Sequence, residues 1–225
     1  RLSAAGAICV GKTNLDQFAT GLVGVRSPYG IPRNVRNLGY VSGGSSSGSA
    51  VVTAAGLVPF ALGTDTAGSG RVPAAFNHLV GFKPTKGRWS TSGLIPACRS
   101  IDCITVFAHD SADARLVDGV IAGFDPADPW SKPLADRANS GKVIGVPRRS
   151  QRAWFGDGES EYLYDRALEK LATLGTVVEI DITPLLEAAQ LLYGGPWVAE
   201  RTAAIAKLLT DNPNAVDPKI GRAHV

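Results

Sequence analysis

The chain has 225 residues, 44% hydrophobic and 19% charged, a balance that suits a soluble globular protein able to bury a substantial core. Its 23 basic residues are scattered among 20 acidic ones for a net charge of +3, so no basic face for nucleic acid is visible. The longest apolar run, SAVVTAAGLVPFALGT, is shorter than the roughly 18 to 20 residues needed to cross a bilayer and is broken by Gly56 and Pro59, which excludes a membrane span.

In chain order, RLSAAG reads as the end of a helix closed by Gly6, AICV as a short buried strand, and NLDQFATG as a short helix starting from an Asn14 cap. A long loop, SPYGIPRNVRNLGYVSGG, leads to SSGSAVVTAAG, a helix of small residues. VPFALGTD is a buried strand, RVPAAFNHL a helix and VGFKPT a strand stopped at Pro84. Residues 123–140 turn to Pro, Asp and Ala, as in an exposed connection. KVIGVP, ESEYLYDRALEKLATLG and TVVEIDI then form a βαβ unit, and PLLEAAQLLYGGPWVAERTAAIAKLLT is helical in two pieces broken at Gly194 and Gly195, with Pro196 opening the second. Short apolar runs separated by helices imply an α/β protein with a mixed β-sheet covered by helices on both faces.

Cys9, Cys98 and Cys103 are an odd number, which argues for a reducing, cytoplasmic setting rather than a disulfide framework. Cys98 and Cys103 are most simply buried small hydrophobes, and Trp197 is core or pocket wall. The chain opens on Arg1 inside a helix-like stretch and contains no Met, while IGRAHV resembles the translation of a sequencing adapter. Residues 1–219 are therefore expected to be a domain truncated at both ends, and 220–225 a non-native tail.

GAICVGKT, residues 6–13, satisfies the phosphate-loop spacing, but a helix precedes it and Ile8, Cys9 and Val10 make its middle strand-like, so the context for nucleotide binding fails. In GGSSSGSA, residues 43–50, Gly43 and Gly44 supply unusual backbone angles and Ser45 to Ser47 stand where a helix cap belongs; composition favours that structural cap, with a catalytic or anion-binding loop as the alternative. GTDTAGSGR, residues 63–71, is a strand–turn–helix junction whose exposed N–H groups can stabilise an oxyanion, with Ser69 either a nucleophile or a plain N-cap. His78 lies nine residues past Ser69, about 13 Å along a helix axis, too far to serve it as base. His109 is read as a strand-end surface residue.

GGSSSGSA followed by GLVPFALGTDTAGSGRVPAAFNHLVGFKPTKGR resembles the amidase signature family, and the two serines stand 24 positions apart, as its Ser-cisSer-Lys triad requires. The resemblance implies that Ser69 is the acyl-enzyme nucleophile, that Ser45 is the bridging serine joined to Gly44 by a cis peptide, and that the N–H groups of Thr66, Ala67, Gly68 and Ser69 form the oxyanion hole. The family's neutral lysine base would fall before position 1, and Lys12 is not its equivalent, so this chain by itself is expected to be inactive. GTDTAGSGRVPAAF, STSGLIPACRSIDCITVFA and YGGPWVAERTAAI are most similar to the allophanate hydrolases of that family, over roughly residues 5–110 and 185–210.

That likeness implies that Tyr193 and Arg201 hold the carboxylate of a small carboxylated urea, with no metal or organic cofactor, and that the enzyme is linked to a biotin-dependent urea carboxylase. The alternatives are a broad amidase, an inactive fragment and an amidotransferase A subunit. A homodimer is open to such a chain. Without the resemblance, Arg201 reads as a helix-surface residue paired with an acid and Tyr193 as core.

Overall fold

The computed structural model describes residues 1–133 and 142–221, and the chain divides into two compact units, 1–134 with 192–225 and 135–191. In the first unit, α1 (Ser47–Ala54) leads to β1 (Phe60–Thr64), α2 (Arg71–Phe76), β2 (Val80–Phe82), β3 (Ile104–Ala108) and α3 (Ser111–Ile121). The sheet is antiparallel in the order β1-β3-β2, with Leu62 opposite Val106 and Gly81 opposite Phe107.

Alternation along β3 distributes the core between two faces. Phe107 packs with Ala50 of α1 and Ala74 of α2. Val106 and Ala108 pack with Trp89 and with Ala114 and Val117 of α3. The central sheet is thus covered on both faces, as expected for a mixed α/β protein. The small residues of α1 allow its hydroxyls to reach β1: Ser49 Oγ donates to Leu62 O at 2.7 Å, and Ser46 Oγ donates to Thr64 O at 3.2 Å and accepts from Thr64 N at 3.0 Å. Gly63 is required there, because a Cβ would lie 2.6 Å from Ser46 Oγ and 2.8 Å from the Phe107 ring.

The second unit contains β4 (Val143–Pro147), α4 (Gly158–Ala172) and β5 (Thr176–Ile180), with β4 and β5 parallel, which is the expected βαβ arrangement. Asp157 caps α4 by accepting from Ser160 N. Next come α5 (Thr183–Gly194), α6 (Trp197–Asp211) and α7 (Pro218–Gly221). The break falls at Gly195 and Pro196, with Gly194 still closing α5 and Pro196 standing as the N-cap of α6 rather than as its first residue. Ile205 of α6, Val216 and Ile220 form a small core with Phe18, so Ile220, at the start of the proposed tail, is buried; residues 222–225 lie outside the described part.

Three local expectations are corrected. AICV is not a strand: Ile8 and Val10 are 85% and 77% exposed and pair with no strand among the described residues. NLDQFATG forms only a 3-10 turn over Gln17–Ala19, and Asn14 does not cap it. The cause is Asp16, whose buried carboxylate accepts from Gly24 N at 3.0 Å and Arg26 N at 2.7 Å and folds the segment back as a loop. Finally, no serine side chain caps α1. Helix α3 was not anticipated, although Asp110 caps it by accepting from Ala112 and Asp113. Of the 123–140 connection, the part before residue 134 is tied down by Lys132 N donating to Gly87 O and Ser90 Oγ donating to Asp125; residues 134–140 lie outside the described part.

Candidate active site

Two turns meet at the start of α1 and α2. The peptide bond between Gly44 and Ser45 is cis. Gly44 N donates to Leu22 O at 2.8 Å and Asp16 N donates to Ser45 O at 2.9 Å, holding the bond from both sides. A side chain at Gly44 would collide with the Asp16 carboxylate and with Gly24 N. Burial pushes the Asp16 carboxyl up, against the lowering effect of the Arg26 and Gly24 amides. Ser46 N, one residue on, donates to Ser69 O at 3.3 Å, which brings the two serine segments together. Both serines are buried.

The turn carrying Ser69 is built around Asp65, a fully buried residue whose N continues the β1–β3 ladder to Cys103 O at 2.8 Å. Its carboxylate accepts from Gly68 N at 2.5 Å, from Arg71 N at 3.1 Å and from the Arg71 guanidinium at 2.9 and 3.0 Å, with Lys83 Nζ at 3.4 Å. Burial alone would raise its pKa, but the Arg71 hydrogen bonds and the Lys83 charge outweigh it and hold the carboxyl down at about 2. The turn is therefore fixed by an ionised acid beneath it. The Gly68 N–H points into this anchor, while those of Thr66, Ala67 and Ser69 make no hydrogen bond among the described residues. Ser69 does not cap α2, since Gly70 occupies that position. Asn77 closes the other end of α2, its Nδ2 donating to Ser42 O at 2.7 Å and Pro73 O at 2.9 Å.

Arg201, on α6, is 2% exposed, and its guanidinium lies 5.4 Å over the ring of Tyr193, a half-exposed residue in the last turn of α5. It is not the acid-paired surface residue that composition alone suggests. Buried side-chain polar atoms are nearly always hydrogen-bonded. Among the described residues the unpartnered ones are Ser45 Oγ, Arg201 Nε and Arg201 Nη1. All three belong to residues singled out in the sequence.

Other candidates stay apart. Lys12 is exposed, His78 is exposed beyond the end of α2, and His109 is exposed directly after β3. Lys83 is committed to Asp65 and to Thr66 O at 3.2 Å. An open cavity of about 640 Å³ lined by Arg1, Ser90 and Phe124 contains neither serine. Among the described residues no cluster of three or more His, Cys, Asp or Glu is placed to hold a metal ion, and no helix is long and apolar enough to cross a membrane. Sequence reasoning gave no role to Asp16, Asp102 or Glu200 and saw Asp65 only as the end of a strand. Asp65 had a visible signal, being the one charged residue between Arg36 and Arg71.

Residues 1–223 match the family described as Amidase. The chain is 50% identical to the urea amidolyase of Saccharomyces cerevisiae over 96% of its own length but 12% of that protein's. It is 42% identical to the A subunit of the glutamyl-tRNA(Gln) amidotransferase from Pseudomonas aeruginosa, over 86% of its length and 42% of that protein's. An allophanate hydrolase structure from Kluyveromyces lactis superposes with a TM-score of 0.93 at 47% identity, covering 99% of this chain and 37% of that one. The chain thus spans less than half the length of each of these relatives. By its sequence, its mixed α/β fold and its paired serine turns, the chain belongs to the amidase family.

Proposed function

We propose that the chain is the part of an allophanate hydrolase that carries its nucleophile and substrate-recognition residues. The observation that carries this reading is the buried Arg201 guanidinium with two unpartnered donors beside Tyr193. A cation kept out of water without a counter-ion is costly, and a ligand carboxylate relieves that cost through charge-assisted hydrogen bonds from the guanidinium. Allophanate is a urea bearing one carboxylate, so this fork and the Tyr193 hydroxyl can hold its acid end while the amide end faces the serine turn.

In the proposed reaction Ser69 Oγ bonds to the terminal amide carbon as its proton passes to Ser45 and on towards a lysine that is not among these residues. The developing oxyanion accepts from the free N–H groups of the turn, those of Thr66, Ala67 and Ser69. The C–N bond then breaks, and the departing nitrogen takes up the proton and leaves as ammonia. Water cleaves the acyl-Ser69 ester and releases a dicarboxylated amine, which loses carbon dioxide. Such a substrate has to be made by carboxylating urea, and similarity to proteins named urea amidolyase supports a functional link with a biotin-dependent carboxylase.

Identity to an amidotransferase component keeps a different amide substrate as the alternative reading. The test is ammonia release from allophanate and from simple amides by the intact gene product. A strong preference for allophanate that is lost in Ser69→Ala supports the proposal, and equal turnover of uncharged amides contradicts it.

A further inference from the structure

We infer that Glu200 is a positioning residue that holds the Arg201 fork in register with the oxyanion turn, and so contributes to selecting an amide that bears a carboxylate. The inference rests on the reading of Arg201 given above. Glu200 and Arg201 are adjacent on α6, yet the glutamate does not neutralise its neighbour. Instead Glu200 Oε1 accepts from Ser100 N at 2.8 Å, and Oε2 accepts from Ser100 Oγ at 2.7 Å and from the Cys98 thiol at 3.2 Å. The guanidinium is left free for a ligand.

The loop that Glu200 grips is the one that holds the serine turn. Asp102 accepts from Ala97 N at 2.9 Å and from Cys98 N at 3.0 and 3.1 Å, and on its other side it accepts from Thr66 Oγ1 at 2.6 Å. Lys86 Nζ donates to Arg99 O at 2.7 Å and Asp102 O at 2.8 Å, closing the loop. A continuous path therefore runs from α6 through Glu200, Ser100, the 97–102 loop and Asp102 to Thr66, the first residue of the oxyanion turn. Burial raises the Glu200 carboxyl, but the Ser100 and Cys98 donors hold it below the usual range, so it grips the loop as a carboxylate. Because an ester or amide must reach Ser69 while its acid end sits on Arg201, small changes in this spacing are felt as lost affinity for the two-ended ligand.

The probe is malonamate, in which a methylene replaces the central N–H of allophanate, with uncharged malonamide as its partner; affinities for the chain are measured by titration calorimetry. The unsubstituted chain is expected to favour malonamate, and Arg201→Gln to abolish that preference. Glu200→Ala should weaken malonamate about tenfold while changing malonamide less than about twofold, a contrast that general loosening of the fold would not produce. Ser100→Ala, a milder change, should weaken malonamate about threefold, and the double variant should be no weaker than Glu200→Ala alone. If Glu200→Ala leaves the preference intact while Arg201→Gln removes it, the inference about Glu200 is wrong and the role of Arg201 stands. If the unsubstituted chain shows no preference, or Arg201→Gln does not alter it, the reading of Arg201 fails and this inference goes with it.

Discussion

The guanidinium of Arg201 stacks over the Tyr193 ring at 5.4 Å while two of its nitrogens donate to no protein atom. A cation held this way by an aromatic face and by burial is organised for an incoming anion before it arrives. In the intact gene product, Arg201→Gln is expected to raise the KM for allophanate by about thirtyfold, the loss of one charge-assisted pair, and to leave turnover of uncharged amides nearly unchanged. Steady-state ammonia release on both substrates checks this. Equal losses on both would place Arg201 in folding rather than recognition.

Asp65 gives the serine turn a pH signature. Its carboxyl is held at about 2 in the folded chain against an ordinary value of 3.8, so the folded state favours the ionised form. The stabilisation is fully present above about pH 4 and disappears as pH falls from about 4 through about 2, a total of about 2 kcal/mol. Asp65→Asn removes the ion pairs with Arg71 and Lys83 and should cost about 3 kcal/mol at neutral pH. Urea unfolding at pH 7 and pH 3 tests both statements: the variant's deficit should shrink at the lower pH, and a deficit that grows would contradict the assignment.

Gly63→Ala places a methyl 2.6 Å from Ser46 Oγ and 2.8 Å from the Phe107 ring. The hydroxyl that pairs with both backbone groups of Thr64 must give way. The expected loss is about 2 kcal/mol, read as a lower denaturation midpoint. An unchanged midpoint would show that α1 can move away from β1 without cost.

How far the sequence could be read differed between strands, loops and side chains. The strands around the serine turn were legible because VPFALGTD and VGFKPT are short apolar runs with clear stops. The βαβ segment was legible for the same reason, helped by the long amphipathic pattern of α4. The N-terminal segment misled, since AICV has the composition of a buried strand but nothing among the described residues pairs with it, and NLDQFATG carries a helix-start pattern that the Asp16 carboxylate overrides. Helix α3 carries a readable signal in Asp110 followed by Ala114, Val117 and Ile121, a cap and an apolar spacing. The serine pair and Arg201 entered through family resemblance. What resemblance and periodicity both left out were the acids that hold the site, Asp16, Asp102 and Glu200. Asp16 and Asp102 bind backbone amides of irregular loops, and Glu200 binds the Ser100 amide and hydroxyl and the Cys98 thiol about 100 residues away; neither helix nor strand periodicity encodes such contacts.

The cysteines separate burial from reactivity. Burial and the neighbouring Glu200 carboxylate push the Cys98 thiol up to about 12, while Cys9 is exposed. Iodoacetamide at pH 8 should therefore label Cys9 in the folded chain and leave Cys98 and the buried Cys103 unmodified until denaturant is added. Peptide mapping by mass spectrometry decides it; Cys98 modified ahead of Cys9 would mean that the loop gripped by Glu200 opens readily.

A crystal structure of the chain with malonamate tests the shared site most directly. The account predicts the ligand carboxylate on the Arg201 guanidinium, its amide carbon within about 3.5 Å of Ser69 Oγ, and its carbonyl oxygen turned to the free N–H groups of the serine turn. A ligand whose carboxylate sits away from Arg201, or whose amide carbon cannot approach Ser69 while the acid end is held, would contradict it.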